Sequence, residues 1–324
     1  MELKAYEAAK HKAALIDVSA WGKLAFRGQD CKKFLHGLLT NDIQSLKQGQ
    51  GLATCILTPK GKLIADFALY DLGENLLSIQ LPQATGGIIS TLSKPLVLSQ
   101  TTIEDITRQW AAFLIIGPET TNILKDILDV REILVNYACA QFKWDKESLL
   151  ALSYPVLAQE GILLLTNPNK AEKLRAHLMK QGHTFGLESI GSDTLEVLRI
   201  EAGVPALGVD TDEDTLPLEL PLENTISFTK GCYMGQETTA RIKNFGHVNR
   251  KWIGLKAQAD VRTPADVFVD DKFIGKITSA TQSPRLKATL GLGFLRSEYA
   301  VPGTKVLLKY DGWECPAEIA AIPI

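Results

Sequence analysis

A weak internal repeat in the first half of the chain limits the folds that it can adopt. Gly28-Gln29-Asp30 and Gly117-Pro118-Glu119 each follow an apolar, strand-like segment, and apolar residues then recur at the same offsets behind both turns. Such spacing places apolar side chains on one face of a helix, so each copy predicts a strand, a turn and an amphipathic helix. A third, fainter copy surrounds Asn167-Pro168-Asn169. Strands that alternate with helices and hairpins indicate an α+β fold built from split β-α-β modules.

The pattern changes near Arg250, where short β-rich segments replace the strand and helix units. Turn formers such as Pro302-Gly303 and Asp311-Gly312 separate these segments. Several short strands at this spacing predict a small antiparallel barrel or sandwich. We therefore expect an α+β region over residues 1–248, composed of two interleaved subdomains, and a β-rich domain over residues 249–324. Neither region contains a Gly-x-Gly-x-x-Gly or Walker-type run, which argues against a doubly wound nucleotide-binding fold.

Charge and cysteine usage narrow the functional classes. The 324 residues carry a formal net charge of -2, which gives no overall attraction to nucleic acid or to an anionic membrane. The five cysteines are widely separated and include no Cys-x-x-Cys pair, which argues against a disulfide framework or a zinc knuckle. The first residues are rich in charge and lack an apolar stretch of signal-peptide length. We expect a protein of the reducing cytoplasm, with no metal site, no membrane partner and no direct nucleic-acid partner.

The best candidate for chemistry is a run in which a lone thiol lies between two glycines. Its residues are Lys230-Gly231-Cys232-Tyr233-Met234-Gly235-Gln236-Glu237. Ile226–Phe228 alternates like a strand and Gly235–Asn244 is compatible with a helix, so we expect Cys232 at a strand-to-helix turn. A helix N-terminus and the Lys230 ammonium both favour a thiolate. The pattern therefore predicts that Cys232 is a reactive cysteine and that Lys230 assists its ionisation.

Other residues of this run have predicted roles of their own. Gly231 and Gly235 permit a positive φ or a close approach of another backbone. Glu237, in the first predicted helical turn, complements the helix dipole and offers a carboxylate to a ligand. The alternative is a glycine-rich turn in which Cys232 is only a small, half-buried apolar residue.

This run, followed by Ala240-Arg241, resembles the signature of the YgfZ family of folate-binding proteins, whose wider relatives are the glycine-cleavage T-proteins. Segments 16–19, 26–42, 198–203 and 275–284 follow in the same order as in that family, so the resemblance spans nearly the whole chain. It implies a T-protein-like ring of three domains around a folate channel, with a small antiparallel β-barrel at the C-terminus. It also implies tetrahydrofolate as the cofactor.

A pterin ring presents a flat face and an N–H edge that one carboxylate can bind in bidentate fashion. Glu201, in the run Arg199-Ile200-Glu201-Ala202-Gly203, matches the pterin-binding glutamate of T-proteins. Its charge falls in the last turn of a predicted helix, where it opposes the helix dipole. The alternative is a solvated helix-end glutamate. Trp21 resembles a tryptophan that YgfZ proteins present to folate, and its alternative is burial in the core.

Two further residues are carried over from the family. T-proteins have an Asp-Asp pair after a Gly-Gly turn, whereas this chain has Ala65-Asp66 and so keeps only the second carboxylate. Asp66 is either a folate-binding residue or a structural carboxylate at a strand edge, and Ala65 argues against aminomethyl transfer. Arg241 is predicted to meet the glutamyl tail of folate, or simply to solvate a helix face.

The resemblance implies a tetrahydrofolate-binding accessory factor for the assembly or repair of iron-sulfur enzymes, including those that modify tRNA, with Cys232 as its functional thiol. Its partners would be folate and iron-sulfur client enzymes. The alternative is a folate-dependent aminomethyltransferase or methyltransferase with Glu201 and Asp66 at the pterin. The cysteine motif and Ala65 both favour the accessory factor.

Overall fold

The computed structural model describes residues 2–130, 134–155, 157 and 161–324, with the backbone but not the side chain of Phe245. The chain divides into two compact units, each built from segments that are not contiguous in the sequence. Unit 1 comprises Met1–Thr58, Ile64–Thr194 and Asn224–Met234, and unit 2 comprises Pro59–Leu63, Leu195–Glu223 and Gly235–Ile324. The domain boundary expected at residue 248 stays a prediction.

Helices and strands alternate along unit 1. Its helices are α1 (Leu3–His11), α2 (Cys31–His36), α3 (Pro82–Leu96), α4 (Thr120–Leu128) and α5 (Ala171–Gly182). Its strands are β1 (Ala13–Asp17), β2 (Gly22–Arg27), β3 (Gly51–Leu57), β4 (Leu63–Asp71), β5 (Leu76–Gln80), β6 (Thr102–Asp105), β7 (Ala111–Ile116), β8 (Cys139–Trp144), β9 (Glu147–Ser153), β10 (Gly161–Thr166) and β11 (Leu187–Ser189).

The first sheet of unit 1 has the strand order β11-β1-β7-β10-β9-β8 within the described residues. β1 pairs with β11 in parallel and with β7 antiparallel, so that Leu15 lies opposite Ile115. Every residue of the neighbouring strands β7 and β10 is buried, which accounts for their nearly unbroken apolar sequences. Ile123 of α4 and Leu174 of α5 belong to the same apolar core as Leu15 and Ile115. These two helices therefore cover one face of the sheet.

The second sheet of unit 1 has the order β3-β4-β5-β2-β6 over the described part of the chain. β2 and β5 pair antiparallel, with Leu24 opposite Ser78. Helix α3 lies against β2 and begins with Pro82, whose fixed φ suits the first helical position. The Tyr70 hydroxyl on β4 donates a hydrogen bond of 2.8 Å to the carbonyl oxygen of Ser153 at the end of β9. This bond joins the two sheets within unit 1.

The predicted repeat is confirmed by the structure. β2 leads through Gly28 into α2, and β7 leads through Gly117 into α4. Both glycines have positive φ, +120° and +109°, and a Cβ at either one would collide with a backbone carbonyl of another segment. Only glycine fits such a turn. The third copy is confirmed as well, since β10 is followed by a short 3-10 turn and α5.

Unit 2 contains the C-terminal barrel. Helix α6 (Ser192–Ala202) leads into this unit, and α7 (Gln236–Phe245) precedes the barrel strands. These strands are β12 (Arg250–Ala257), β13 (Ala265–Val269), β14 (Lys272–Ser283), β15 (Ala288–Arg296), β16 (Lys305–Tyr310) and β17 (Trp313–Ala320).

The barrel closes in the order β12-β15-β14-β13-β16-β17, because β17 pairs back onto β12 with Leu255 opposite Ile319. All of the described pairs in it are antiparallel, and Leu255 belongs to the core that fills it. The predicted α+β class and the antiparallel barrel are therefore confirmed, and the sandwich alternative is wrong. No helix within the described ranges is long and apolar enough to cross a membrane.

Candidate functional site

Trp21 lies in the turn between β1 and β2 of unit 1. Its backbone N–H donates a hydrogen bond of 2.9 Å to the carbonyl oxygen of Val18. The indole is half-buried, and its centroid lies 5.4 Å from the ring of Tyr154 with the planes tilted by 50°. Such a tilted pair is a favourable aromatic arrangement and leaves part of the indole accessible. Trp21 is therefore neither wholly buried in the core nor fully exposed.

Asp66 lies on β4 of unit 1 with an exposed side chain. Nevertheless, the surrounding protein withdraws enough water to raise the pKa of its carboxyl. Burial raises the pKa of the Tyr154 hydroxyl, and the charge of Asp66 raises it further. Asp66 therefore belongs to the same neighbourhood as Trp21 and Tyr154.

The sequence analysis did not identify Tyr154 as a site residue. It follows Ser153, the last residue of β9, whose carbonyl oxygen is held by the Tyr70 hydroxyl. Tyr154 also donates its backbone N–H to the carbonyl oxygen of Gly161, at 2.8 Å. Its sequence signal was an aromatic residue between a strand end and Pro155, because strand ends are common places for functional side chains. That signal is too frequent to select Tyr154 without the contact to Trp21.

Hydrogen bonds to Thr40 and Asn41 hold residues 224–227, the segment of unit 1 that precedes the cysteine motif. The Thr40 hydroxyl donates to the carbonyl oxygen of Thr225 at 2.7 Å and accepts from the Cys55 N–H at 2.8 Å. The Thr40 carbonyl oxygen accepts from the N–H of Ser227 at 3.0 Å. The Asn41 amide donates to the carbonyl oxygen of Asn224 at 3.2 Å. Thr40 and Asn41 therefore fix the course of a segment that lies far away in the sequence.

The predicted strand over Ile226–Phe228 is wrong. Glu223–Thr225 forms a 3-10 turn, and the residues after it are irregular. Thr40 and Asn41 supply hydrogen-bond partners to this segment in place of a strand neighbour. Alternation over three residues is too short to distinguish a strand from an irregular segment with alternating burial.

Lys230 is held by backbone carbonyls of unit 1. Its ammonium donates to the carbonyl oxygens of His36, Leu39 and Asn41 at 2.5, 2.7 and 2.9 Å. An ammonium has three donors, so these bonds use all of them. Desolvation lowers the pKa of Lys230 to about 8. The amine thus anchors the segment, and its predicted assistance to the Cys232 thiol stays a prediction.

Cys232 is exposed, whereas the other four cysteines of the chain are buried. Burial raises the pKa of the Cys31 thiol to about 12 and that of Cys139 to about 11, and it raises the pKa of Cys55 and Cys315 as well. Those four thiols are kept protonated. The alternative of a half-buried, apolar Cys232 is wrong, because solvent reaches this side chain. By contrast, Tyr233 next to it is 7% exposed and lies with its ring 5.2 Å from the Lys230 ammonium.

Two glycines of the motif behave differently. Gly235 adopts a positive φ of 83° at the N-cap of α7, as predicted. Gly231 does not have a positive φ, and no described atom outside its chain neighbours lies within 4 Å of where a Cβ would stand. The predicted backbone reason for Gly231 is therefore wrong. Helix α7 begins at Gln236, with Glu237 in its first turn, so Cys232 precedes the helix by four residues rather than standing at its N-terminus.

Glu201 lies in unit 2, in the last turn of α6, and is 2% exposed. Its Oε1 accepts a hydrogen bond of 2.7 Å from the Ser283 hydroxyl on β14, and its carbonyl oxygen accepts from the N–H of Ile324 at 2.9 Å. The solvated alternative for Glu201 is therefore wrong. Arg241 is exposed on α7. The predicted folate-binding roles of both residues stay predictions.

A separate cavity of about 540 Å³ in unit 1 adjoins the β4–β5 hairpin and β8. Asp71, Trp110 and Gln141 are among its lining residues. The described lining includes no predicted site residue, so this cavity adds nothing to the candidate site. No group of three or more His, Cys, Asp or Glu side chains in the described ranges is arranged to hold a metal ion.

Comparison with known proteins agrees with this architecture. The GCVT N-terminal domain matches residues 3–230, and the glycine-cleavage T-protein C-terminal barrel domain matches residues 250–324. An aminomethyltransferase of Bacillus cereus is 28% identical over 332 residues, which cover 98% of this chain and 88% of that protein. A candidate chloroplastic transferase of Arabidopsis thaliana is 29% identical over 311 residues, or 95% of this chain and 71% of that protein.

Among solved structures, the glycine cleavage system aminomethyltransferase T from Bartonella henselae has a TM-score of 0.86 to this chain. The match covers 99% of this chain and 88% of that protein at 21% sequence identity, so the likeness is one of fold. None of these similarities singles out the YgfZ family, which stays a prediction. The two domain matches together cover nearly the whole sequence, and the chain belongs to the glycine-cleavage T-protein superfamily.

Proposed function

We propose that the protein is a tetrahydrofolate-binding accessory factor that supports the assembly or repair of iron-sulfur enzymes, among them enzymes that modify tRNA, through the thiol of Cys232. One observation carries this proposal. Cys232 is the exposed thiol in a chain whose other four cysteines are buried, and the residues beside it, Lys230 and Tyr233, are anchored in unit 1.

Three side chains of unit 1 support folate as the ligand. A tetrahydrofolate supplies a fused pterin ring with a planar pyrimidine half and an N–H edge, and it carries a one-carbon unit on its nitrogens. The rings of Trp21 and Tyr154 pack against each other with centroids 5.4 Å apart, the half-buried indole offers an aromatic surface, and Asp66 offers an exposed carboxyl in the same neighbourhood. An aromatic face and a carboxylate are the two groups that such a ring needs. Membership in the T-protein superfamily supports the same ligand class.

The iron-sulfur part of the proposal rests on the chemistry of one thiol. Stable clusters take about four thiolate ligands. Cys232 would therefore supply one ligand, and cysteines of a client protein would supply the others. The cluster is then cargo and not a resident cofactor. An exposed side chain on an anchored segment suits such a shared and transient contact, because the thiol reaches a partner without unfolding its own support.

Complementation of a deletion strain tests the role of Cys232. Cells that lack the protein would receive wild type, Cys232→Ser or the control Cys31→Ala, and thiolated tRNA would report the activity of an iron-sulfur enzyme. We expect Cys232→Ser to fail and Cys31→Ala to restore activity. Folate calorimetry on the same proteins should show equal binding. Full complementation by Cys232→Ser would refute the proposal.

A second candidate function is folate-dependent aminomethyl transfer. It is favoured by the relatives named aminomethyltransferase and by the accessible Asp66 carboxyl, whose raised pKa suits proton transfer to or from a bound folate. The pairing of Ala65 with Asp66 argues against it. A glycine-cleavage assay with lipoylated carrier protein distinguishes the two. Turnover that survives Cys232→Ser but is lost in Asp66→Asn would establish the second function in place of the first.

A further inference from the structure

Lys23, on β2 of unit 1, is a lysine with no exposed surface. Its relative exposure is 0%, the same as that of the neighbouring Leu24 and Ala25. Its ammonium donates to the carbonyl oxygens of Ser19 and Trp21, at 2.9 and 2.8 Å. Lysine is almost never fully buried unless it is paired, so this placement needs a reason.

The two carbonyls belong to the turn that carries the candidate ring-binding residue. The turn is already closed by the backbone hydrogen bond from Trp21 to Val18. A second, charged anchor is therefore not needed to form it. The ammonium adds a fixed orientation of the peptide groups in this turn. One donor bonded to the carbonyl oxygens of both Ser19 and Trp21 restricts the rotation of the peptide planes between them.

Burying this ammonium has a cost. Desolvation lowers the pKa of Lys23 to about 8, although the charges of Asp105 and Asp17 act in the opposite direction. An apolar side chain at this position would avoid that cost, but it would leave the carbonyl oxygens of Ser19 and Trp21 without this donor. The buried charge is therefore tied to these two carbonyls, and hence to the conformation of the turn.

We infer that Lys23 is a positioning residue: its ammonium fixes the Val18–Trp21 turn and so sets the indole of Trp21 against Tyr154 for a flat ring to bind. This inference rests on the proposed binding of folate in unit 1. Lys23 itself is buried beneath the turn and acts through Trp21.

Fluorine NMR and calorimetry test it together. Wild type and Lys23→Met would be labelled with 5-fluorotryptophan, and Trp21→Phe would assign one of the five tryptophan resonances. Binding of 5-formyltetrahydrofolate would be measured on the same samples. We expect Lys23→Met to shift or broaden the Trp21 resonance selectively and to weaken binding by about tenfold, as a small displacement of a ring-binding group does.

Leu24→Ala is the matched control, since it removes an equally buried side chain of β2 but leaves both carbonyl contacts of Lys23 in place. It should lower stability without moving the Trp21 resonance or the affinity. Lys23→Arg should restore part of the affinity, because it keeps charged donors under the turn. A folded Lys23→Met that binds like wild type with an unchanged Trp21 resonance would overturn the inference.

If Lys23→Met fails to fold, a pH titration of the wild-type protein still tests the inference. Raising the pH from about 7 to about 10 removes the Lys23 proton, so the Trp21 resonance should shift with a midpoint near the pKa of about 8. A resonance that stays fixed over this range would contradict the inference. Failure of wild type to bind 5-formyltetrahydrofolate would instead refute the proposed folate binding, and the fluorine spectra would then decide whether Lys23 holds the Trp21 turn.

Discussion

The Lys230 ammonium lies 2.7 Å from the carbonyl oxygen of Leu39, a residue 191 positions earlier in the chain. Together with its bonds to the carbonyls of His36 and Asn41, this contact fastens the beginning of the cysteine motif to the end of α2. Lys23 holds the Trp21 turn in the same way. Two lysines bound to backbone carbonyls thus support the two candidate functional segments of unit 1.

Lys230→Met should destabilise unit 1, because it leaves three carbonyl oxygens without their charged donor. We expect a loss of about 1–3 kcal/mol in the free energy of unfolding, measured by urea titration. Lys33→Met, which removes an exposed lysine of α2, is the matched control and should change stability by less than about 0.5 kcal/mol. Equal stability of the two variants would show that the bonds from Lys230 to the three carbonyl oxygens contribute nothing to the free energy of unfolding.

Alkylation of the native protein should modify one cysteine. Cys232 is exposed, whereas burial keeps Cys31, Cys55, Cys139 and Cys315 protonated and out of reach. Mass spectrometry after brief treatment with iodoacetamide should find the label on Cys232, and Cys232→Ser should remain unlabelled until it is unfolded. Rapid labelling of Cys31 or Cys139 in the folded protein would contradict the assigned burial.

Asp66→Asn should stabilise the folded protein at neutral pH while it weakens folate binding. The folded pKa of Asp66 is raised, so the folded state binds this proton more tightly than the unfolded state. That contribution to stability is fully present below the unfolded pKa of about 3.9 and is lost as the pH rises through the folded pKa. The exposed side chain keeps the gain from Asp66→Asn below about 1 kcal/mol at neutral pH.

Thermal unfolding at several pH values tests whether the pKa of Asp66 is raised in the folded state. The difference between Asp66→Asn and wild type should be larger at neutral pH than near pH 4, because the raised pKa lets the folded wild type hold more of this proton as the pH falls. A stabilisation that grows on acidification would show that the pKa of Asp66 is shifted in the opposite direction.

The two motif glycines should respond differently to alanine. Gly235→Ala places a Cβ on a residue with a φ of 83° and should cost about 1–2 kcal/mol. Gly231→Ala meets open space and should leave the unfolding midpoint unchanged. If Gly231 matters because a client approaches it, Gly231→Ala should nevertheless reduce complementation. A destabilised Gly231→Ala would mean that the glycine has a structural role after all.

Glu201→Gln separates folate binding from packing in unit 2. The amide oxygen can still accept the hydrogen bond from the Ser283 hydroxyl, so stability should stay within about 1 kcal/mol of wild type. If the carboxylate binds a pterin edge, folate affinity should fall by about tenfold or more, which calorimetry would detect. Unchanged affinity in a stable Glu201→Gln protein would remove Glu201 from the folate site.

Local patterns in the sequence predicted much of the fold. The repeat turns at Gly28 and Gly117, the helix that follows Gly235 and the β-rich C-terminal region are all confirmed. These features depend on residues close together in the chain: periodicity of apolar side chains, and glycines where the backbone needs positive φ. The three-residue strand at Ile226–Phe228 failed because so short a pattern carries little information.

The sequence by itself determined the fold class, the superfamily and the run that contains Cys232. Local periodicity of apolar residues indicates the fold class, and a motif of contiguous residues indicates the superfamily. Only the tertiary structure decided that Tyr154 meets Trp21, that the ammonium of Lys230 binds carbonyls of a distant segment and that Glu201 is buried against Ser283. Each of these depends on which residues the fold brings together and on how much water it removes from them. Desolvation and long-range contact are properties of the folded chain, and no local pattern specifies them.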